Sequence, residues 1–185
     1  SSSIRAPFNN SGTVEVEGSL RFRNQDQTYT GKYIAEEGSI QFGGGTHTLT
    51  EEVEFQGDNF QFRGDILTGT LAQELDWYSG TVNDLTVTEA GKLVLTGNNS
   101  SNYVTGELTN QGTIYEDTGN LSIGTESETG VINNEGIFEL AGGADIKKGV
   151  INNEGIFELA GEADIKKGVI NNEGIFELGG ADLTS

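Results

Sequence analysis

Residues 130–148 read GVINNEGIFELAGGADIKK, and residues 149–167 repeat this stretch with one change, Glu162 in place of Gly143. A third copy covers residues 168–185, with one residue fewer and a divergent end. The period is therefore 19 residues. Tandem copies of this kind predict a fold made by stacking one small unit, because a unit this short cannot bury a hydrophobic face by itself.

Weaker copies of the same pattern continue towards the N-terminus. Residues 8–18, FNNSGTVEVEG, match residues 132–142, INNEGIFELAG, position by position. Further copies are found at residues 34–44, 87–97 and 108–115. The wide interval between residues 44 and 87 leaves room for two or three irregular copies, which are expected to include residues 53–64 and 66–78.

The copies divide the chain into unequal parts but indicate no linker. We predict one β-solenoid domain over residues 8–185, with degenerate turns at 8–129 and three near-identical turns at 130–185. Residues 1–7 are predicted to be a tag remnant or leader. The missing methionine indicates that the chain is a fragment of a longer protein.

Apolar and polar residues alternate within each copy, as in Phe138-Glu139-Leu140, and this spacing is typical of strands. A period of 19 residues is too short for a strand–helix–strand unit, which needs roughly 30 residues. We therefore predict an all-β fold, a single-stranded parallel β-helix of about eight or nine turns.

Equivalent positions of successive turns should stack in continuous rows about 4.8 Å apart. The predicted apolar rows are Ile132, Ile151 and Ile170; Phe138, Phe157 and Phe176; and Leu140, Leu159 and Leu178. The asparagine rows, which can form amide ladders, are Asn133, Asn152 and Asn171; Asn134, Asn153 and Asn172; with Asn9, Asn10 and Asn110 as earlier members.

Glycines mark the corners between strands, and we expect several to adopt positive φ. At the second corner of the repeat, Glu162 replaces Gly143, so the left-handed residue there is predicted to be Gly142 or Gly161.

The unit NNxGxΦxΦ (Φ, apolar), carried by residues 133–140 and 9–16, resembles the right-handed β-helix repeats of filamentous haemagglutinin-type bacterial adhesins. The resemblance implies a right-handed coil and a secreted, extracellular fibre on the bacterial cell surface, with adhesive or stalk roles. It also implies a host or cell-surface glycan or protein as partner. Near-identical copies in such a fibre change its length rather than its chemistry.

The composition excludes several classes of function. Asp and Glu number 29 against 10 Lys and Arg, so the formal net charge is −19 and binding to nucleic acid or anionic membranes is not expected. Apolar runs are too short for membrane insertion. The chain has no cysteine, which excludes disulfides, thiolate nucleophiles and cysteine-ligated zinc. We expect no cofactor.

Carboxylates dominate the polar rows, with Glu135 and Glu139 repeated in each copy. These rows are interpreted as solvated faces or, alternatively, as weak Ca²⁺ sites; no calcium-binding loop motif is present, which favours the first reading, so we predict no metal site. The neighbouring rows of Asp145 and Asp164 are expected to pair with the repeated lysines Lys147, Lys148, Lys166 and Lys167. His47, the only histidine, is predicted to face outwards, which argues against histidine-based catalysis.

The irregular middle of the chain, residues 51–78, holds the candidate ligand-binding residues Asp76, Trp77 and Tyr78. Stacking of Trp77 and Tyr78 on sugar, with carboxylates such as Asp58, Asp65 and Asp76 as acid and base, would suit a polysaccharide-cleaving enzyme or a glycan-binding module. The alternative reading places Trp77 and Tyr78 in the core or over its end. We favour a non-catalytic structural and adhesive role.

The last turn of a stacked fold leaves strand edges and an apolar end without a partner. We therefore predict a monomer that can associate end to end.

Overall fold

The computed structural model describes residues 1–97, 101–118, 120–161, 163–165 and 167–179. Within these residues the elements are all β-strands, their pairings are parallel, and the chain coils into a β-solenoid of about eight turns. The predicted all-β parallel β-helix is therefore confirmed.

The strands are short, mostly three to five residues. In chain order they are β1 Ser2–Ile4, β2 Thr13–Glu15, β3 Ser19–Arg23, β4 Gln27–Ile34, β5 Ser39–Gly43, β6 Thr46–Gln56, β7 Phe60–Arg63, β8 Ile66–Leu71, β9 Glu74–Trp77, β10 Gly80–Val87, β11 Lys92–Leu95, β12 Ser101–Val104, β13 Gly106–Asn110, β14 Thr113–Glu116, β15 Asn120–Ile123, β16 Gly130–Asn134, β17 Ile137–Leu140, β18 Gly143–Ile146, β19 Gly149–Asn153, β20 Ile156–Leu159, β21 Ala163–Ile165, β22 Val169–Asn172 and β23 Ile175–Leu178.

The strands form two sheets that enclose the core. Sheet A has ten strands in the order β1-β3-β5-β7-β9-β11-β14-β17-β20-β23, and sheet B has thirteen. Up to β10 each turn contributes one strand to sheet A and one longer strand to sheet B. The sheet B segment then divides: Gly80–Val82 of β10 pairs with β12, whereas Leu85–Val87 pairs with β13. Each later turn therefore has three strands.

The predicted apolar rows exist, and they are in register. Ile132 pairs with Ile151, and Ile151 with Ile170. The phenylalanine and leucine rows of β17, β20 and β23 are aligned in the same way. The rings of Phe138 and Phe157 are stacked with centroids 4.9 Å apart. Because each turn makes the same side-chain contacts with the previous turn, the repeats form a continuous core.

The core of the first turns is aromatic rather than repetitive. One sheet A row contains Phe22, Phe42, Phe62 and Trp77, one residue per turn. Tyr29 of sheet B packs edge-on against Phe42, with ring centroids 4.8 Å apart. The spacing along this row falls from 20 to 15 residues between Phe62 and Trp77, which explains why the copies in this region are irregular.

Both asparagine ladders are present. In the inner ladder, Asn110 donates to Asn134, Asn134 to Asn153 and Asn153 to Asn172, each through Nδ2–Oδ1 bonds of 2.7 Å. Asn134 and Asn153 are 1% exposed. In the outer ladder the amides donate in the opposite direction, from a later turn to an earlier one. Asn171 Nδ2 donates to Asn152 Oδ1, and Asn152 Nδ2 donates to Asn133 Oδ1, both at 2.8 Å.

Two earlier asparagines are not members of these ladders. Asn9 is exposed, whereas Asn10 is buried, and its Nδ2 donates to the backbone carbonyls of Thr30 and Lys32. Asn110 is the first member of the inner ladder because Val87 occupies the same position one turn earlier. Its Oδ1 is accordingly buried without a partner.

The expectation of positive φ at the repeat corners is wrong. Gly136, Gly155 and Gly161 do not have positive φ. A Cβ on Gly155 would instead collide with the carbonyl oxygen of Gly136, and one on Gly161 with that of Gly142. These glycines are required because successive turns approach each other closely, backbone on backbone.

Two further sequence predictions concern the polar surface and the N-terminus. Lys147 Nζ lies 3.1 Å from Asp145 Oδ2, so that pair is confirmed, whereas the pair of Asp164 and Lys166 lies outside the described side chains. Within the segment predicted to be a tag remnant or leader, Ser2–Ile4 forms β1 and pairs with β3.

Candidate functional site

The outer face of sheet A in the first turns is polar and basic. Strands β3, β5 and β7 alternate between core and surface: Phe22, Phe42 and Phe62 point inwards, and their neighbours along the strand point outwards. The outward positions on either side of these phenylalanines are Arg21 and Arg23, Gln41 and Gly43, and Gln61 and Arg63.

These residues line a cleft of about 340 Å³, which we call the arginine cleft; its lining is Arg21, Arg23, Asn24, Gln41, Gly43 and Arg63. A second cleft of about 360 Å³ adjoins it towards the N-terminus and shares Arg21, Arg23 and Gln41. The first residues of the chain, Ser1–Ser3, form one wall of the second cleft. Three of the four arginines of the chain therefore meet on one surface.

The arginines of this cleft are not neutralised by carboxylates. Across the part of the chain that the structure describes, the three ion pairs within 4.0 Å are all made by lysines. The nearby carboxylates of Asp26 and Asp65 accept backbone hydrogen bonds at the next corner, from the N–H of Thr46 and of Gly45. The cleft thus keeps a local positive charge in an acidic protein.

Arg63 is held in a fixed orientation. Its guanidinium carbon lies 3.4 Å from the ring centroid of Tyr78, and its Nε donates to Gln61 Oε1 at 2.6 Å. Stacking on an aromatic ring and a hydrogen bond at Nε leave the terminal Nη groups available for a ligand.

The three residues predicted to bind ligand have three different environments. Trp77 is 0% exposed and belongs to the core, so the reading that placed it there is confirmed and its ring does not face a surface ligand. Asp76 is half-buried on the outer face beside Gln61, and Tyr78 lies under Arg63. Burial, followed by the charge of Glu74, raises the pKa of the Asp76 carboxyl.

His47 corrects another prediction, because it is fully buried rather than outward-facing. It occupies the same face of β6 as Leu49 and pairs with Leu67 of β8. Its Nε2 donates to the Gly44 carbonyl at 3.0 Å, which leaves Nδ1 to accept from the Tyr29 hydroxyl at 2.8 Å. Burial lowers the pKa of His47, so the ring is a neutral structural group.

A buried carboxyl was not foreseen from the sequence. Glu116 is 0% exposed and continues the core row between Leu95 and Leu140. Its Oε2 accepts from the Gly142 N–H at 2.9 Å, whereas Oε1 has no partner. Burial therefore raises the pKa of Glu116, opposed by the Gly142 hydrogen bond. The alternation of Ile114 and Glu116 in β14 is the signal that could have indicated its inward position.

The arginine cleft was also missed, although the sequence contains a signal for it. Residues 20–23, 40–43 and 60–63 read LRFR, IQFG and FQFR, a motif spaced by 20 residues in which the inward Phe fixes the phase. This spacing of 20 residues differs from the 19-residue period of the C-terminal copies, so a search for the 19-residue pattern does not detect it.

The described residues offer neither a cluster of metal ligands nor a membrane-spanning helix. Among them no group of three or more His, Cys, Asp or Glu side chains could hold a metal ion. No helix among them is long and apolar enough to cross a membrane.

Comparisons with protein-family models, with curated proteins and with solved structures each found no match.

Proposed function

We propose that this chain is a non-catalytic, structural and adhesive segment of a secreted bacterial surface fibre, extracellular in location, in which the repeats form a rigid stalk. The observation that supports this role most directly is the register of the three near-identical turns. Each residue of Gly149–Asn153 pairs with the same residue of Gly130–Asn134, and Val169–Asn172 continues the pairing. Such turns can be added without any new kind of contact.

Rigidity follows from how each added turn is held. A turn forms parallel backbone pairing on its three strands, extends both asparagine ladders and places one phenylalanine on the previous one. The buried amides of Asn134 and Asn153 satisfy their donors on the next turn only when the register is kept. A one-residue slip would leave these groups unpaired in the core, at a cost of about 1–3 kcal/mol each.

The last described turn has more exposed apolar side chains than the turns before it. Leu178 is 41% exposed, whereas its counterpart one turn earlier, Leu159, is covered by β23 and is 1% exposed. The exposed end presents the surface that an identical turn already covers elsewhere in the chain. End-to-end association with a second copy, or extension by further repeats, would cover it in the same way.

A glycan-binding module is the second candidate function, and the arginine cleft favours it over a polysaccharide-cleaving enzyme. The proposed catalytic carboxylates lie in different surroundings: Asp65 accepts a backbone hydrogen bond at a corner, and Asp76 lies on the outer face of sheet A. Retention of polysaccharides without cleavage is the expected outcome when the chain is incubated with acidic and neutral polysaccharides.

The stalk role can be tested by inserting copies of residues 149–167 after residue 167. Each copy should lengthen the particle by about 4.8 Å, so six copies should add about 29 Å without widening it. Small-angle X-ray scattering measures both dimensions, and a chain carrying six shuffled 19-residue insertions is the matched control. An increase in width, or the same scattering for native and shuffled insertions, would contradict a stalk built by turn addition.

A further inference from the structure

The centre of the arginine cleft is a gap in a row of side chains. Arg23, Gly43 and Arg63 occupy the same outward position in three successive turns of sheet A. The two arginine backbones are therefore separated by two turns, about 10 Å at roughly 4.8 Å per turn. Glycine places no side chain between them, and the side chain of Arg21 borders the space, with Cγ and Cδ 3.9 Å from the position of an added Cβ.

The backbone at Gly43 does not require glycine. Its φ is not positive, and the atom nearest to an added Cβ would be the carbonyl oxygen of Phe22 at 3.5 Å, an ordinary contact distance. By contrast, an added Cβ on Gly155 would collide with the backbone of the previous turn. The structural consequence of Gly43 is therefore the gap itself.

The groups around this gap suit an acidic sugar. Guanidinium groups bind carboxylate and sulfate through paired hydrogen bonds, and Arg63 is already oriented by its contacts with Tyr78 and Gln61. Gln41 and Asn24, which also line the cleft, provide amide donors and acceptors of the kind that bind hydroxyl groups. The volume of about 340 Å³ lies at the lower end of the range for small-molecule sites.

The repeated glutamate row of the protein lies far from the cleft, whereas the single carboxylates of Asp26, Asp65 and Asp76 lie nearer to it. The outward row that starts at Arg21 runs through Gln41, Gln61 and Asp76, and reaches its first glutamate, Glu139, after six turns. Six turns correspond to about 29 Å, several times the screening length of about 8 Å at physiological salt. The net charge of −19 therefore opposes long, densely charged polyanions more than a short ligand with isolated acidic groups.

We propose that the arginine cleft binds an acidic saccharide, with a carboxylate or sulfate group held between Arg23 and Arg63 in the space above Gly43. This assignment gives the adhesive part of the proposed function a ligand class, and in its biological role it rests on that function. The binding itself is independent of whether the repeats act as a stalk.

Binding can be measured on the full chain by isothermal titration calorimetry with four probes. A galacturonic acid trisaccharide supplies carboxylates, a heparin tetrasaccharide supplies sulfates, maltotriose is neutral, and a thymidine oligonucleotide represents nucleic acid. We expect at least one acidic saccharide to bind, more weakly as salt is raised, and maltotriose not to bind. The two acidic probes identify which anion is preferred.

The decisive variant is Gly43→Leu, which fills the gap without removing any arginine. It should weaken binding by about tenfold or more, Gly43→Ala by less, and Arg23→Gln or Arg63→Gln by about tenfold. Gly18→Leu is the matched glycine control, since no atom lies within 4 Å of a Cβ there, and Arg5→Gln is the charge control; both should bind as the wild type does.

Three results would overturn the assignment: no binding of either acidic saccharide, unchanged affinity in Gly43→Leu with native circular dichroism, or tighter binding of the oligonucleotide than of both acidic saccharides. None of these results would alter the particle length expected for added repeats, so failure of the cleft and failure of the stalk are distinguishable.

Discussion

The inner asparagine ladder should be worth far more to stability than the outer one, and two adjacent residues of β19 allow a direct comparison. Asn153 is 1% exposed; its Nδ2 donates to Asn172 Oδ1 at 2.7 Å and to the Ile175 carbonyl at 2.8 Å. Its Oδ1 accepts from Asn134 at 2.7 Å. A longer Nδ2 bond of 3.2 Å to the Gly155 carbonyl shares the same two hydrogens. Asn153→Ala removes all of these bonds, and at about 1 kcal/mol for each of the three shorter ones the expected loss is about 3 kcal/mol.

The matched control is Asn152→Ala, on the same strand but the opposite face. Asn152 also donates to one ladder neighbour and accepts from another, both at 2.8 Å. Because it is only half-buried, water can replace these bonds, and the expected loss is below about 1 kcal/mol. Urea unfolding gives both free energies, and hydrogen exchange of the β19 amides detects local opening that a global transition would hide. Equal losses for the two variants would refute the argument that burial sets the value of the ladder.

Three further predictions concern a close approach and two buried titratable groups. Gly155→Ala should destabilise the chain by about 1–3 kcal/mol in urea unfolding, since its Cβ would collide with the backbone one turn earlier, whereas Gly43→Ala should change stability little; equal effects would contradict this. Burial raises the pKa of Glu116, so its contribution to the free energy of unfolding should fall as pH rises above about 4.3, the usual pKa of glutamate. A Glu116→Leu chain should lack this decline when its free energy of unfolding is measured between about pH 4 and 8. Burial lowers the pKa of His47, so stability should fall as pH drops below about 6.5, where the unfolded chain takes up the proton; in the double variant His47→Leu, Tyr29→Phe this acid-side loss should disappear.

The C-terminal architecture could be predicted from the sequence because two signals agree there: the copies are nearly identical, and apolar and polar residues alternate within each copy. Identical residues 19 positions apart must stack if the turns stack, so the rows of Phe138 and Leu140 and both asparagine ladders followed directly. The side-chain period of two then decides which residues face the core. His47 shows how an error arises: alternation was applied to this segment in the wrong phase, although His47 and Leu49 lie on the same face.

The candidate site could not be derived in the same way. Arg23 and Arg63 are 40 residues apart, and they meet only because two consecutive turns have the same length of 20 residues. The next turn has 15, as the pairing of Phe62 with Trp77 shows, so no single period aligns this region. The conformation of the corner glycines was also beyond the sequence, because a turn that needs positive φ and a turn that needs close approach both select glycine.

The identity of the C-terminal turns creates an ambiguity during folding that the aromatic turns resolve. If residues 149–167 packed where residues 130–148 belong, nearly every side-chain contact would be reproduced. The main free-energy cost would be that of closing a loop formed by the displaced copy, and this cost depends only weakly on loop length. The first turns have unequal lengths and unlike side chains, so they admit one alignment. Folding that starts from the Phe42 region would therefore align the repeats correctly. Folding that starts within the repeats would instead produce misaligned or intertwined chains.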